Sequence, residues 1–99
     1  MAMERASAAL KHLADTWARA KGRDLDLETL LELRARSRAF AFACPATSAA
    51  DRTVDLENWA ELLYLEAAAG DASRRAQLER EIDDTINRLR FLVPADTAV

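Results

Sequence analysis

The side chains able to do chemistry are few in this sequence, and their spacing works against chemistry. It has one imidazole, His12, and one thiol, Cys44. Zinc sites draw three or four ligands from Cys, His and carboxylates. A helical di-iron site needs Glu-x-x-His pairs, and the sequence has none. His12 stands off the apolar Leu10–Leu13–Trp17 spacing and reads as a boundary surface residue. A cysteine nucleophile needs a base to make thiolate, and nothing in the sequence brings His12 to Cys44. Cys44 reads as a small buried hydrophobe. Two glycines cannot build a phosphate-cradling loop. The expectation is no catalysis, no metal, no cofactor and no small-molecule ligand.

Charged groups offer two further candidates. Arg34, Arg36 and Arg38 are the densest basic cluster. On a helix Arg34 and Arg38 share a side while Arg36 faces away, toward Glu32 at the helical neighbour position. A phosphate-binding row would want all three on one face. Arg34 and Arg38 are therefore held as a polar contact to an acidic partner, or as a solvated face. Glu79, Glu81, Asp83 and Asp84 form an acidic band able in principle to hold Mg²⁺. Arg75, Arg80 and Arg88 alternate with it, and Arg80–Asp84 and Asp84–Arg88 have ion-pair spacing. The band reads as a salt-bridged helix face.

Within that band, the stretch Leu78-Glu79-Arg80-Glu81-Ile82-Asp83-Asp84-Thr85-Ile86-Asn87-Arg88-Leu89 resembles the opening helix of the all-helical chorismate mutases, which reads Arg-x-x-Ile-Asp-x-Ile-Asp. The resemblance covers about a dozen residues and implies an enzyme working by Arg and Glu electrostatics. In that family the helix opens the fold, whereas here it closes the chain. No residue is carried across, because the substrate-holding Arg, Lys and Glu or Gln that should follow have no room.

The elements that must position these side chains are helices. The chain has 99 residues, one domain's worth, with 22 alanines, two glycines and two prolines. Alanine favours helix but brings little hydrophobic area, so the core must rest on Leu, Ile, Phe and two Trp. No run is apolar enough to span a bilayer. A lone cysteine and the absence of a leader pattern point to a cytoplasmic protein. Twelve arginines against two lysines, with high alanine, associate with a GC-rich bacterial genome. Net charge is −3, which disfavours nucleic acid. Residues Met1–Ala50 carry +2 and Asp51–Val99 carry −5. Either the two halves pack and neutralise one another, or copies of the chain do.

Four helices are expected. The first runs from about Met3 to Lys21 on an Ala6, Leu10, Leu13, Trp17 stripe, stopped by Gly22. The second starts at Asp24 or Asp26 and runs through Leu27, Leu30, Leu31 and Leu33. It ends near Ala39-Phe40-Ala41-Phe42-Ala43, with the two phenylalanines pointing to different sides, and Pro45 stops it. Cys44–Val54 reads as the one long linker, with room for a short helical turn. The third helix begins after Asp55 and ends at Gly70, apolar over most of its circumference. The fourth follows Asp71 or Ser73 and runs to about Leu92 on Leu78, Ile82, Ile86 and Leu89. The fold expected is all-α: a small antiparallel bundle of about four helices, two helical hairpins joined by a longer loop, over residues 1–94. Residues 95–99 read as a flexible tail.

A helix apolar nearly all round is central or covered by a partner, and aromatic residues are common interface anchors. The function expected is a small non-catalytic protein–protein interaction module, adaptor, chaperone-like or regulatory. It would self-associate as a homodimer or bind another protein through Trp59, Leu62, Leu63, Tyr64, Phe40 and Phe42. The alternatives are a nucleic-acid-binding regulator using Arg34–Arg38 and a chorismate-mutase-like enzyme.

Overall fold

In a computed structural model that describes residues 2–93, four stretches close into α-helices, and their ends show why. Helix α1 spans Ala2–Ala20. It stops where Gly22 takes a left-handed φ of 81°, a conformation that side-chain-bearing residues resist. Helix α2 spans Leu27–Ala43. Asp26 caps it, its Oδ1 accepting from the Thr29 N–H at 2.8 Å, which satisfies one of the free N–H groups of the first turn. Helix α3 spans Ser48–Glu66 and tightens into a 3₁₀ turn over Ala67–Ala69. Gly70, left-handed at φ 71°, closes that turn. Helix α4 spans Ala72–Arg90, capped by Asp71, whose Oδ1 accepts from Arg74 N at 3.1 Å.

The all-α four-helix arrangement is the one expected, but the longer loop is not there. Residues 44–47 alone connect α2 to α3, and Asp55 lies inside α3 as an exposed residue rather than at its cap. Serine, threonine and aspartate between 47 and 55 suggested a linker because such side chains favour caps and turns. Packing overrides that preference here. Ala49 and Thr53 are buried and extend the Leu56–Ala60–Leu63 stripe by two turns. The Thr53 hydroxyl is satisfied locally, donating to Ala50 O at 3.0 Å.

Consecutive helices pack along their lengths, α1 on α2, α2 on α3 and α3 on α4, while α1 and α4 meet only lightly. The molecule measures 43 × 22 × 21 Å, an elongated rod about two helices wide. Its core is a single cluster in which Phe40, Leu13, Leu33, Leu56, Leu78 and Ile82 are sealed from solvent. Leu92 and Val93, beyond α4, cover one end. The segment 95–99 lies outside the described residues. No helix of the described residues is long and apolar enough to cross a membrane.

Candidate interaction face

One broad face of the rod, formed by α2 and α3 together, carries side chains that the core does not use. On α2 the positions Leu27, Leu31, Arg34, Arg38 and Phe42 follow one another by four, three, four and four, one stripe of a helix. On α3 the stripe is Val54, Glu57, Glu61 and Leu65. The helices are antiparallel, so the two stripes run side by side in reverse order. Ion pairs fix their register. Arg38 Nη2 lies 3.3 Å from Glu57 Oε1, Arg34 Nε is 3.3 Å from the same oxygen, and Arg34 Nη2 is 3.6 Å from Glu61 Oε1. Glu57 is pinned between two guanidinium groups with its side chain only 13% exposed.

Beyond this ion-pair ladder the stripes turn apolar at both ends. Phe42 is 94% exposed and Val54 is 53% exposed. With Arg38, Ala41, Ala50 and Glu57 they line an open groove of about 590 Å³. At the other end Leu31 comes level with Leu65, which is 61% exposed, and exposed Leu27 lies one turn further along α2. Scattered exposed leucines are ordinary; contiguous apolar positions on one side of a small protein are not.

The residues singled out from sequence distribute unevenly over this frame. Phe40 and Leu63 belong to the core of the single chain, so the surface expected of them falls to neighbours. Trp59, Leu62 and Tyr64 are half-buried against that core. Only Phe42 is fully on the face. Val54, Leu65, Leu27 and Leu31 are exposed on the same face and were not among the residues singled out from sequence. Their signal was present in the spacing of Leu27 and Leu31, which continues to Arg34, Arg38 and Phe42. Arg34 and Arg38 do share a side, but Glu57 and Glu61 already hold them. Glu32 faces α1 instead of Arg36: Arg19 Nη2 stands 3.5 Å from its Oε2.

The other candidates stay apart. His12 is exposed and Cys44 is buried, with its Sγ 4.0 Å from Leu92 O. No group of three or more His, Cys, Asp or Glu among the described residues is placed to hold a metal ion. The acidic band on α4 is dispersed into the bundle. Asp83 accepts from Trp17 Nε1 at 2.7 Å and from Lys21 Nζ at 2.5 Å. Glu79 accepts from Gly22 N at 3.1 Å. The acids at 79 and 83 turn toward the α1 end, and the expected Arg80–Asp84–Arg88 ladder is not among the ion pairs of the described residues: Asp84 is exposed. The hydrogen bond and charge of Asp83 raise the Lys21 pKa above its ordinary value. A cleft of about 330 Å³ lies there, lined by Trp17, Lys21, Asp83, Asn87 and Arg90 among others. Another, of about 150 Å³, lies by Gly70 and Arg75. Neither cleft nor the Phe42 groove gathers more than one arginine, whereas a mutase-type pocket needs several converging on a carboxylate.

No family model, curated protein or solved structure matches this chain.

Proposed function

We propose that this protein is a non-catalytic interaction module, of the adaptor or regulatory kind, that docks another polypeptide on the α2–α3 face. The observation that carries the reading is Phe42, a full aromatic side chain held in solvent on a rigid helix beside exposed Val54. Burying such a ring contributes roughly 1.5–3 kcal/mol, and the bundle leaves it unused. The core does not use it: Phe40, on the other side of the helix, is the ring sealed inside. The ion-pair ladder supports the same reading. Polar groups at fixed positions between apolar ends give a surface register as well as affinity. Arg34 and Arg38 are committed to carboxylates, which weakens any nucleic-acid role for them.

A photo-crosslinking amino acid placed at position 42, 54 or 65 of the full chain in its producing cells tests the reading. Position 12, exposed on α1, is the control. Discrete adducts from the α2–α3 positions and none from position 12 are expected. If 42, 54 and 65 all yield no adduct, the face has no partner and the reading is wrong.

A further inference from the structure

We infer that the occupant of this face is a second copy of the chain, docked about a two-fold axis parallel to the helices, so that α2 of each copy lies over α3 of the other. The inference rests on the interaction-module reading and adds the partner and its geometry. The argument comes from the order of charges. Along the face, Arg38 stands level with Glu57 and Arg34 with Glu61. Phe42 stands level with Val54 and Leu31 with Leu65 by the same register.

Closed dimers use one surface patch on both subunits, related by a two-fold axis. Two such axes lie in the plane of this face and keep the helices aligned. An axis perpendicular to the helices puts α2 on α2 and α3 on α3. Arg34 and Arg38 then oppose the partner's Arg38 and Arg34, and Glu57 opposes the partner's Glu61. Like charges meet at the centre of the interface, where the cost is greatest.

An axis parallel to the helices keeps every residue at its own level and exchanges left for right. Arg34 and Arg38 then cover the partner's Glu61 and Glu57, while the acids cover the partner's arginines. Each charge then faces one of opposite sign across the interface, as it already does across the α2–α3 seam of its own chain. Arg38 and Glu61 remain open enough to take the second partner, and their side chains are 69% and 49% exposed. The same operation sets Phe42 beside the partner's Val54 at one end and Leu31 beside the partner's Leu65 at the other. Apolar ends meet apolar ends, and charges meet their complements.

A chain carrying Arg34→Glu, Arg38→Glu, Glu57→Arg and Glu61→Arg together keeps each internal ion pair with its sign reversed. It is mixed with the unaltered chain under a different tag, and dimers are counted by native mass spectrometry. The parallel axis predicts that each chain pairs with itself and that the mixed dimer falls about tenfold below its statistical share. A statistical mixture or an excess of mixed dimer overturns the geometry. Absence of any dimer in sedimentation of the unaltered chain overturns the second copy as occupant. Crosslinks from position 42 to a different protein would then leave the interaction-module reading standing. Should the fourfold variant not fold, a Cys44→Ala background settles the matter by disulfide trapping. Phe42→Cys in one chain then links to Val54→Cys in the other, and a link to Leu31→Cys instead overturns the parallel axis.

Discussion

Among the described residues, four hydroxyl-bearing side chains are buried, and three satisfy themselves within their own helices. Thr16 donates to His12 O at 2.8 Å, Thr53 to Ala50 O at 3.0 Å and Thr85 to Glu81 O at 2.7 Å. Ser37 is the exception: its Oγ is buried with no hydrogen-bond partner. A buried hydroxyl without a hydrogen bond costs roughly 1–3 kcal/mol. Ser37→Ala removes that group and leaves a smaller side chain of higher helix propensity. The variant is expected to be more stable by about 1 kcal/mol, read as a higher urea midpoint at unchanged slope. A lower midpoint means the hydroxyl has a use in solution. The same scale separates two phenylalanines that composition cannot tell apart. Phe40→Ala empties a sealed site and is expected to cost roughly 3–5 kcal/mol. Phe42→Ala strips a ring from solvent and is expected to stay within about 0.5 kcal/mol in the monomer. Measured side by side by denaturant unfolding at low protein concentration, equal costs would contradict the placement of both rings.

Helix ends were the most legible elements, because capping is local chemistry. Gly22, Asp26, Gly70 and Asp71 each act where a short-range rule puts them. The start of α3 was not legible, since Thr47 and Ser48 suit a turn as well as a cap and Thr47 makes no side-chain capping bond. What holds the first two turns is burial of Ala49 and Thr53 against other helices, and a long-range contact leaves no local trace. The candidate face was half legible for the same reason. Spacing alone put Arg34, Arg38 and Phe42 on one side, but their alignment with Val54, Glu57 and Glu61 depends on how α3 lies. The Asp26 cap makes a prediction at this scale. Its hydrogen bonds, the Thr29 N–H foremost, hold its carboxyl below its ordinary value of 3.8. A depressed folded-state pKa means the stabilisation is complete above the unfolded value and lost as pH falls through the folded one. Below about pH 4 the chain should lose α2 helicity by this route. In Asp26→Asn, which caps without ionising, that part of the acid transition is expected to vanish in far-ultraviolet circular dichroism titrations. An unchanged acid limb would show that the cap does not report on α2.

At the scale of the molecule, the uneven charge of the two halves turns into closure of the rod. The first half's Lys21, Arg34 and Arg38 meet the second half's Asp83, Glu57 and Glu61. The α2–α3 seam also has a long apolar contact, whereas α1 and α4 touch lightly and depend more on polar groups. Asp83 is the centre of that seam. One carboxylate oxygen takes the indole N–H of Trp17 and the other takes the Lys21 ammonium. The indole bond matters most, because Trp17 is buried and loses a needed acceptor if Asp83 is removed. Lys21 is half-exposed, so water screens its share. Asp83→Ala is therefore expected to cost about 1–2 kcal/mol at neutral pH and to shift Trp17 fluorescence as water reaches the cleft. Alkali gives the complementary test. The Lys21 pKa is raised above 10.5, by the Asp83 hydrogen bond first and its charge second. A raised folded-state pKa gives stability that is complete below the unfolded value and lost as pH climbs through the folded one. The gap in melting temperature between the unaltered chain and Asp83→Ala should accordingly narrow above pH 10.5, leaving the indole contribution behind. If the gap is flat across that range, Lys21 adds nothing to the seam. If Asp83→Ala melts with the unaltered chain at neutral pH, α1 is held by its packing on α2 alone.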